Sequence, residues 1–433
     1  MRIAPWLAAL VTLPLLAACD TGPNPVTNAL SGAEAPVAAA GAGLVPVPVS
    51  VPPGAATAPF DEPRDALVPA GWTMSVFARV PNARLAVWSP DGELLVSVPD
   101  DGRVLALSRT GAQRPLLTGL TQPHGLAFSP DGTALYVAES NQVSAFTWAR
   151  GVATRQRVVV PGLPDANSPD LRGAYGHELK SVTVGPDGAV YVSVGSTGNI
   201  SVADRDATPP RASILRMPPT GGPAAPFATG VRNGTGLATA PDGSVWTAVN
   251  GRDNVPYPYD RPYGDDTGSS FGKVVDGYVT DHPAEPLARL TPGRELGWPF
   301  CNPDPDTDPG VTGSAQDFAD VALVADAELN PGGRAMDCAA LAPMEQSFPA
   351  HSAPLGLSFT EGVLPAPYAA GALAGVHGSW NADPPRARRC RSSRGGTVPW
   401  ARSRPWSAGS RTRRERAGAG RSRPSSGRTE RST

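Results

Sequence analysis

Four segments of this chain repeat one pattern, an apolar run, a Pro-Asp-Gly turn and a second apolar run. Alternating apolar residues around an Asp-Gly pair predict two antiparallel strands joined by a tight turn. The turn aspartates are 40, 56 and 55 residues apart. The segments are LAVWSPDGELLVSV, HGLAFSPDGTALYVAE, KSVTVGPDGAVYVSV and TGLATAPDGSVWTAV, with their aspartates at Asp91, Asp131, Asp187 and Asp242.

Further strand-like runs lie between these segments, for example RVLALSR, QVSAFTW and SILRMP. A period of about 40–50 residues with four strands per unit is typical of a β-propeller. A more degenerate unit begins at PLGLSF, residues 354–359, and extends to GALAGVHGSW. The 48 glycines and 50 prolines also favour short strands over long helices. We therefore predict an all-β protein with a β-propeller over residues 61–385.

The N-terminal region predicts export. Residues 1–18 read as a signal peptide, and the LAAC motif that ends at Cys19 resembles a bacterial lipoprotein box, in which the cysteine is acylated. Asp20 favours the inner membrane, and residues 19–60, rich in Ala, Pro, Gly and Val, predict a flexible tether. We expect a lipid-anchored protein that faces the periplasm; the alternative is an ordinary secretory signal.

Two cysteines lie inside the predicted folded body, Cys301 in GWPFC and Cys338 in AMDC. In an oxidising periplasm we expect them to form a disulfide. The alternative is a pair of reduced thiols.

Functional residues of a propeller are expected in loops at the mouth of its channel, where several blades converge. The polar residues outside the turns at corresponding blade positions are therefore the candidates. They are His124, His177, the adjacent Arg232 and Asn233, and the segment VHGSWN, residues 376–381. Together they supply a base, a fixed cation and an amide.

From about Trp72 to Pro385 the chain resembles the glucose/sorbosone dehydrogenase family of pyrroloquinoline quinone (PQQ) enzymes. The resemblance rests on the motifs GHELKSVTVGPDG, VSVGSTGN, FATGVRNGTGL, VNGRDN, GWPFC, AHSAPLGLSF and VHGSWNADPP. It implies a six-bladed propeller with PQQ and Ca²⁺ at its mouth and His177 as the catalytic histidine. It also implies that Arg232 and Asn233 contact the quinone, and it leaves the calcium ligands unassigned.

The chemistry of this reaction suits those residue types. Oxidation of a sugar hydroxyl or a hydrated aldehyde needs a base for the O–H proton while hydride leaves carbon, and a histidine base contributes about 10²–10⁴-fold. Arg232 would stabilise charge on the quinone oxygen, and Asn233 would donate a hydrogen bond. Lys180 either adds positive charge near the cofactor or is solvated, and Trp380 is assigned to the cofactor site from its motif.

One position departs from the resemblance. Soluble glucose dehydrogenases carry an acidic residue where this chain has Ser196, eleven positions after Gly185. The motif VGSTGN is closer to the sorbosone-type branch. We therefore expect an aldose or a sugar-derived aldehyde as substrate rather than glucose itself.

Other functions stay open at this stage. The chain could be a non-catalytic propeller that binds a ligand at its mouth, with His177 a hydrogen-bonded loop histidine. It could also be a calcium-dependent lactonase, although the sequence shows no convincing set of converging carboxylates. For the enzyme, the expected partners are the substrate, an unidentified periplasmic electron acceptor and the membrane, without nucleic acid.

The acidic turn CNPDPDTDPG alternates aspartates like the start of a calcium loop. Its glycine comes one position late, however, and the twelfth position is Ala315 rather than glutamate. A solvated acidic turn is therefore favoured over a calcium site. His282 and His351 are assigned to the surface or to packing.

The chain changes character after residue 385. Residues 386–433 contain 15 arginines and two acidic residues, for a net charge of +13, whereas the preceding residues carry −15. We predict a disordered tail without strands, which leaves the last blade incomplete. A single-base frameshift is the favoured origin, and a genuine basic tail that binds anionic lipid or nucleic acid is the alternative.

Overall fold

The computed structural model describes residues 44–360, 364–365, 368–378, 381, 389–394 and 404–408. The predicted signal peptide, Cys19, Asp20 and Trp380 lie outside these residues. So does most of the arginine-rich tail. None of the helices in the described segments is long and apolar enough to cross a membrane.

Three strands precede the first repeat: β1 (Leu44–Ser50), β2 (Asp65–Pro69) and β3 (Met74–Ser75). β1 pairs antiparallel with β2 and parallel with β3. The tether prediction is therefore wrong from Leu44 onward. Val47 and Val49 alternate with exposed residues in β1 and pack against Ala66 and Val68, so this low-complexity stretch buries one face.

The first two repeats each form a four-stranded antiparallel sheet. The first contains β4 (Ala86–Trp88), β5 (Leu94–Val98), β6 (Arg103–Leu107) and β7 (Gln113–Leu117), with a 3₁₀ turn at Pro99–Asp101. The second contains β8 (Leu126–Phe128), β9 (Ala134–Ala138), β10 (Val143–Ala149) and β11 (Val152–Val160).

The third and fourth repeats each form a five-stranded sheet. Each repeat also contains one short helix between its second and third strands. The third contains β12 (Val182–Val184), β13 (Val190–Val194), helix α1 (Ala203–Asp206), β14 (Ser213–Met217) and β15 (Ala225–Thr229). The fourth begins with β16 (Gly236–Thr239), β17 (Val245–Ala248), helix α2 (Asp276–Asp281) and β18 (Glu285–Leu290). The next strands are β19 (Arg294–Glu295), β20 (Cys301–Pro303), β21 (Ala319–Val321), β22 (Leu323–Ala325) and β23 (Met344–Phe348), with 3₁₀ turns at Pro331–Gly333 and Cys338–Ala340.

These later strands are shared among sheets. β19 extends the third sheet, whereas β21 and β23 complete the fourth, and β20 and β22 form a separate two-stranded ribbon. The degenerate unit forms the fifth large sheet, with β24 (Pro354–Phe359), β25 (Gly371–Val376), β26 (Arg389–Arg394) and β27 (Arg404–Ala408).

The architecture is an all-β propeller, as the repeat predicts. The first strands of the five large sheets, β4, β8, β12, β16 and β24, contact one another in series. Apolar side chains fill the spaces between adjacent sheets; Val143 of one sheet and Val182 and Val190 of the next share a buried cluster. The described residues form five such sheets, matching the five units seen in the sequence, so the sixth blade that the resemblance implies is not confirmed.

The repeated aspartates hold turns together. Asp187 accepts a hydrogen bond from the backbone N–H of Ala189 at 3.0 Å, and Asp242 accepts one from Ser244 at 2.9 Å. Asp91 instead accepts from Trp148 Nε1 at 2.7 Å, in the next sheet. The glycine that follows each aspartate has a positive φ of 70–82°, a conformation that disfavours other residues. The turns are therefore structural, as expected.

The prediction of a strandless C-terminal tail is wrong where the structure describes it. β26 pairs with β25, and β27 pairs with both β26 and β2, so the first and last strands of the chain share a sheet. The physical reason is that the open edge of β25 offers backbone N–H and C=O groups, and pairing with them needs no apolar pattern. The fifth sheet is therefore not incomplete, and the frameshift stays a prediction.

Candidate active site

Two loops at one edge of the third sheet bring His177 against Ser196. Because β12 and β13 are antiparallel, the loop that enters β12 and the loop that leaves β13 meet at the same edge. Gly195 makes this approach feasible. A Cβ atom there would lie 2.5 Å from the carbonyl oxygen of His177 and 2.6 Å from its Cβ.

Ser196 determines the tautomer of His177. The Nδ1 atom lies 2.8 Å from Ser196 Oγ and 3.1 Å from the Ser196 carbonyl oxygen, and the hydroxyl itself donates to the Gly198 carbonyl at 2.7 Å. A carbonyl oxygen can only accept, so Nδ1 carries the hydrogen and Nε2 keeps its lone pair. This partly buried imidazole is therefore arranged as a base.

The electrostatic surroundings keep His177 neutral. Burial lowers its pKa to about 4, and the nearby positive charge of Arg232 acts in the same direction. The hydrogen bond to the Ser196 backbone opposes this shift only in part. A neutral imidazole at ordinary pH is the form that can accept a proton.

Arg232 is held rigidly beside this histidine. Its guanidinium donates to the carbonyl and side-chain oxygens of Asn199 at 3.1 and 3.0 Å and to the carbonyl of Asn250 at 3.3 Å. It also pairs with Asp253 at 3.3 Å, while its own backbone carbonyl accepts from the N–H of Ser196 at 2.7 Å. The side chain is buried, so the cation and the base share one hydrogen-bonded frame.

Asn199 and Asp253, which are not among the residues predicted from the sequence, build this frame. Asn199 Nδ2 donates to the Asp253 carbonyl at 2.9 Å, and the Asp253 N–H donates back to Asn199 Oδ1 at 2.8 Å. Trp298 Nε1 also donates to the Asn199 carbonyl at 3.1 Å. The signal was present, since Asn199 ends the motif VGSTGN and Asp253 lies in VNGRDN.

Asn233 joins the same frame through its backbone. Its carbonyl accepts from the N–H of Asn250 at 3.0 Å, and its side chain is half-buried. Asn250 Nδ2 reaches the Pro354 carbonyl at 2.8 Å, which connects this loop to the fifth sheet. The predicted pair Arg232 and Asn233 is therefore near His177.

Lys180 and His124 are both buried. Lys180 is fully buried, its ammonium donates to the Glu178 carbonyl, and it lies 4.6 Å from the centre of the Tyr175 ring. Burial lowers the pKa of Lys180 to about 7. His124 Nδ1 contacts the Lys180 carbonyl at 3.0 Å. The alternative of a solvated lysine is therefore wrong, because the side chain is enclosed by its neighbours, and a place for Lys180 beside the cofactor stays a prediction.

The predicted disulfide between Cys301 and Cys338 is present, with 5.7 Å between the Cα atoms. It connects the start of β20 to the 3₁₀ turn after Met336. This bond anchors the segment that continues into the acidic turn.

The interpretation of the acidic turn as solvated is wrong for two of its three aspartates. Asp304 and Asp306 lie against His282, with His282 Nε2 3.4 Å from Asp304 Oδ1 and 3.3 Å from Asp306 Oδ2. Asp308 is exposed and outside the cluster. The sequence separates His282 from the turn by more than twenty residues, so only the fold of the β17–β18 segment reveals the pairing.

His351 is a buried packing residue, as expected. Its Nε2 lies 2.6 Å from the Val279 carbonyl in α2, and its Nδ1 lies 3.9 Å from Asp253 Oδ1. His351 therefore links Asp253, the partner of Arg232, to helix α2, which precedes His282.

The described residues suit an anionic redox cofactor with a carboxylate-bound calcium ion. Arg232 supplies a fixed cation, and His177 Nε2 supplies a free lone pair beside it. Asp253, with 26% of its side chain exposed, supplies carboxylate oxygen of the kind that calcium prefers. Arg232 and His177 therefore fit an anionic quinone, and Asp253 offers one of the oxygen ligands that Ca²⁺ would need.

Comparison with known proteins places these motifs in a family. The TrAA12-like family model matches residues 66–390. The PQQ domain of pyranose dehydrogenase from Coprinopsis cinerea, a holo structure, is similar, with a TM-score of 0.65 and 21% identity over 86% of this chain and 91% of that one. A calcium structure of the Trichoderma reesei family AA12 enzyme has a TM-score of 0.58 and 21% identity over 76% of this chain and 83% of that one. No curated protein matches the chain.

Proposed function

We propose that this chain, which belongs to the TrAA12-like family, is a PQQ-dependent oxidoreductase that oxidises an aldose or a sugar-derived aldehyde. The observation that carries the proposal is the geometry of His177: its Nδ1 faces the Ser196 carbonyl, which leaves Nε2 as the proton-accepting atom, and the buried Arg232 lies in the same hydrogen-bonded frame. The similar Coprinopsis structure is that of a PQQ domain of a sugar dehydrogenase. That likeness supports the cofactor and the substrate class.

The residues of this chain divide the reaction between them. His177 Nε2 accepts the proton of the substrate hydroxyl as the C–H bond breaks, and the Ser196 acceptors stabilise the imidazolium that forms. When bound, the quinone supplies the hydride acceptor. Arg232 and Asn233 would hold it, and the guanidinium favours the negative charge that develops there. Calcium would anchor the cofactor through oxygen ligands.

Ser196 supports the sorbosone-type assignment. An acidic residue at this position would place a negative charge against the imidazole, whereas the hydroxyl orients the ring without charge. The base of this chain is therefore poised with a lower pKa than a carboxylate-paired histidine. We propose a hydrated aldehyde or an aldose other than glucose as the preferred substrate.

We also propose that Cys19 carries a lipid that holds the enzyme at the periplasmic face of the inner membrane. The LAAC motif and Asp20 support this placement. A Cys19→Ala variant expressed in a bacterial host should lose incorporation of labelled fatty acid and move from the membrane to the soluble fraction. Retention of label in the variant would contradict the proposal.

Reconstitution tests the main proposal. Purified protein is titrated with PQQ and Ca²⁺, and reduction of an artificial electron-accepting dye is followed over a panel of aldoses and sugar-derived aldehydes. Turnover that needs PQQ and sugar, and that fails in His177→Gln, is the expected result. Tight ligand binding without turnover on any substrate would instead favour the non-catalytic propeller.

A further inference from the structure

The strongest cluster of metal-ligating groups outside the candidate active site is formed by His282, Asp304 and Asp306. One ligand atom from each lies within 4.8 Å of the other two. His282 directly follows α2, whereas the two aspartates follow β20, so the cluster joins two segments far apart in the chain. The side chains are only 4%, 4% and 7% exposed.

The histidine in this cluster is oriented as metal ligands are. Its Nδ1 lies 3.0 Å from the Tyr278 carbonyl, an acceptor, so Nδ1 carries the hydrogen and Nε2 points at the carboxylates. Nε2 is buried and makes no hydrogen bond within the described part of the chain. The Tyr259 hydroxyl donates to Asp304 Oδ2, which fixes that carboxylate in turn.

The distances favour an ion between these atoms over a direct hydrogen bond. An N–H···O hydrogen bond is ordinarily about 2.7–3.2 Å long, and both nitrogen–oxygen distances here exceed that range. A zinc ion with ligands at about 2.0–2.2 Å in tetrahedral arrangement separates its ligand atoms by about 3.4 Å. The observed separations of 3.4 and 3.3 Å match this spacing.

The charge of the cluster leads to the same conclusion. Two adjacent buried carboxylates are costly unless cations compensate them, and a proton on His282 would compensate only one of the two charges, whereas a divalent ion compensates both. Calcium ordinarily takes six to eight oxygen ligands, whereas one imidazole nitrogen and two carboxylates suit a first-row divalent metal.

We propose that His282, Asp304 and Asp306 bind one divalent cation of the zinc type, with a fourth position left for water. Its three ligand residues do not include Asp253, the carboxylate offered for calcium, and the proposal does not depend on the proposed function. The role of this site is to fasten the β17–β18 segment to the loop after β20. Through the contact of Val279 with His351, that segment supports the loop that carries Asp253.

Metal titration tests the site. Full-length folded protein is freed of metal with a chelator, and binding of Zn²⁺ alone is followed by calorimetry and by the thermal midpoint. We expect one Zn²⁺ per chain and a higher midpoint. Asp306→Asn should weaken binding by about 100-fold or more, since even outer-shell changes cost 10–100-fold. The matched control Asp308→Asn, on the same turn but exposed, should bind like the wild type.

Two results would overturn the site. One is the absence of saturable Zn²⁺ binding by the wild type, which would leave the cluster as an ion pair with a protonated histidine. The other is equal Zn²⁺ affinity in Asp306→Asn and Asp308→Asn. If the Asp306 variant fails to fold, Co²⁺ in the wild type decides. Intense visible absorption indicates tetrahedral coordination, and weak bands or none contradict it.

Discussion

His177 and His282 are both largely buried histidines, but their surroundings shift the pKa of the imidazole in opposite directions. In both, Nδ1 faces an acceptor that leaves Nε2 as the reactive atom. At His177, burial and Arg232 lower the pKa to about 4. At His282, burial also disfavours the charged form, but the contacts with Asp304 and Asp306 outweigh it and raise the pKa to about 9. Neighbouring charges thus keep one imidazole neutral, whereas at the other the two carboxylates favour a bound positive charge, either a proton or a metal ion.

The largest effect is expected at the neutral histidine. His177→Gln removes the proton acceptor, so turnover should fall by about 10²–10⁴-fold. PQQ affinity should stay largely unchanged, because the glutamine keeps a polar side chain of similar size. Dye-reduction kinetics and PQQ titration of the same preparation measure both quantities. Undiminished turnover would remove His177 as the base.

Arg232 is expected to contribute the next largest effect. Arg232→Ala removes the buried cation and should lower turnover by about 10²–10³-fold while weakening PQQ binding. Arg216→Ala serves as the control, because Arg216 pairs with Asp187 at a partly exposed position. If the Arg232 variant binds PQQ as tightly as the control, Arg232 does not belong to the cofactor site.

The disulfide between Cys301 and Cys338, close in sequence to Asp304 and Asp306, is expected to stabilise the whole fold. Cys301→Ser with Cys338→Ser removes a cross-link over 37 residues, which should lower the free energy of unfolding by about 2–4 kcal/mol. Urea unfolding measures that loss, and alkylation of wild-type protein without reductant tests the bond itself. Two alkylated thiols in the wild type, or unchanged stability in the double variant, would contradict this expectation.

The smallest effect is expected at Ser196, a positioning residue. Ser196→Ala removes one acceptor but leaves the backbone carbonyl, so turnover should fall by about 10-fold with little change in KM. Ser193→Ala is the matched control. Ser193 is a buried serine in β13, three residues before Ser196, and its hydroxyl accepts from the backbone N–H of Ser181 rather than contacting His177. Equal turnover in the two variants would show that the Ser196 hydroxyl does not orient His177.

The repeat predicts the fold because each unit carries its own strand pattern and turn residues. The Asp-Gly turns locate β4–β5, β8–β9, β12–β13 and β16–β17, and PLGLSF coincides with β24. A strand that forms only because its backbone pairs with a neighbouring strand cannot be predicted from its own residues. β26 lies in an arginine-rich stretch that pairs with an open sheet edge, so its existence depends on β25 rather than on its own sequence.

The candidate site was only partly predictable for a similar reason. His177 and Arg232 stand in motifs that mark them, whereas the roles of Asn199 and Asp253 follow from hydrogen bonds between distant loops. His282 has no local signal, since its carboxylate partners come from another loop. For Lys180 the sequence left a place near the cofactor and a solvated position open, and burial of the side chain excludes only the second.

The pH dependence of kcat/KM for sugar oxidation tests the central claim most directly, namely that a neutral His177 oriented by Ser196 is the base. The rate should fall as pH drops through the pKa of His177, so the acid limb of the wild type should lie below 6.5. Ser196→Asp would place a carboxylate against the imidazole, stabilise its charged form and move the limb to higher pH by one unit or more. An acid limb that stays in place in Ser196→Asp and persists in His177→Gln would contradict the account.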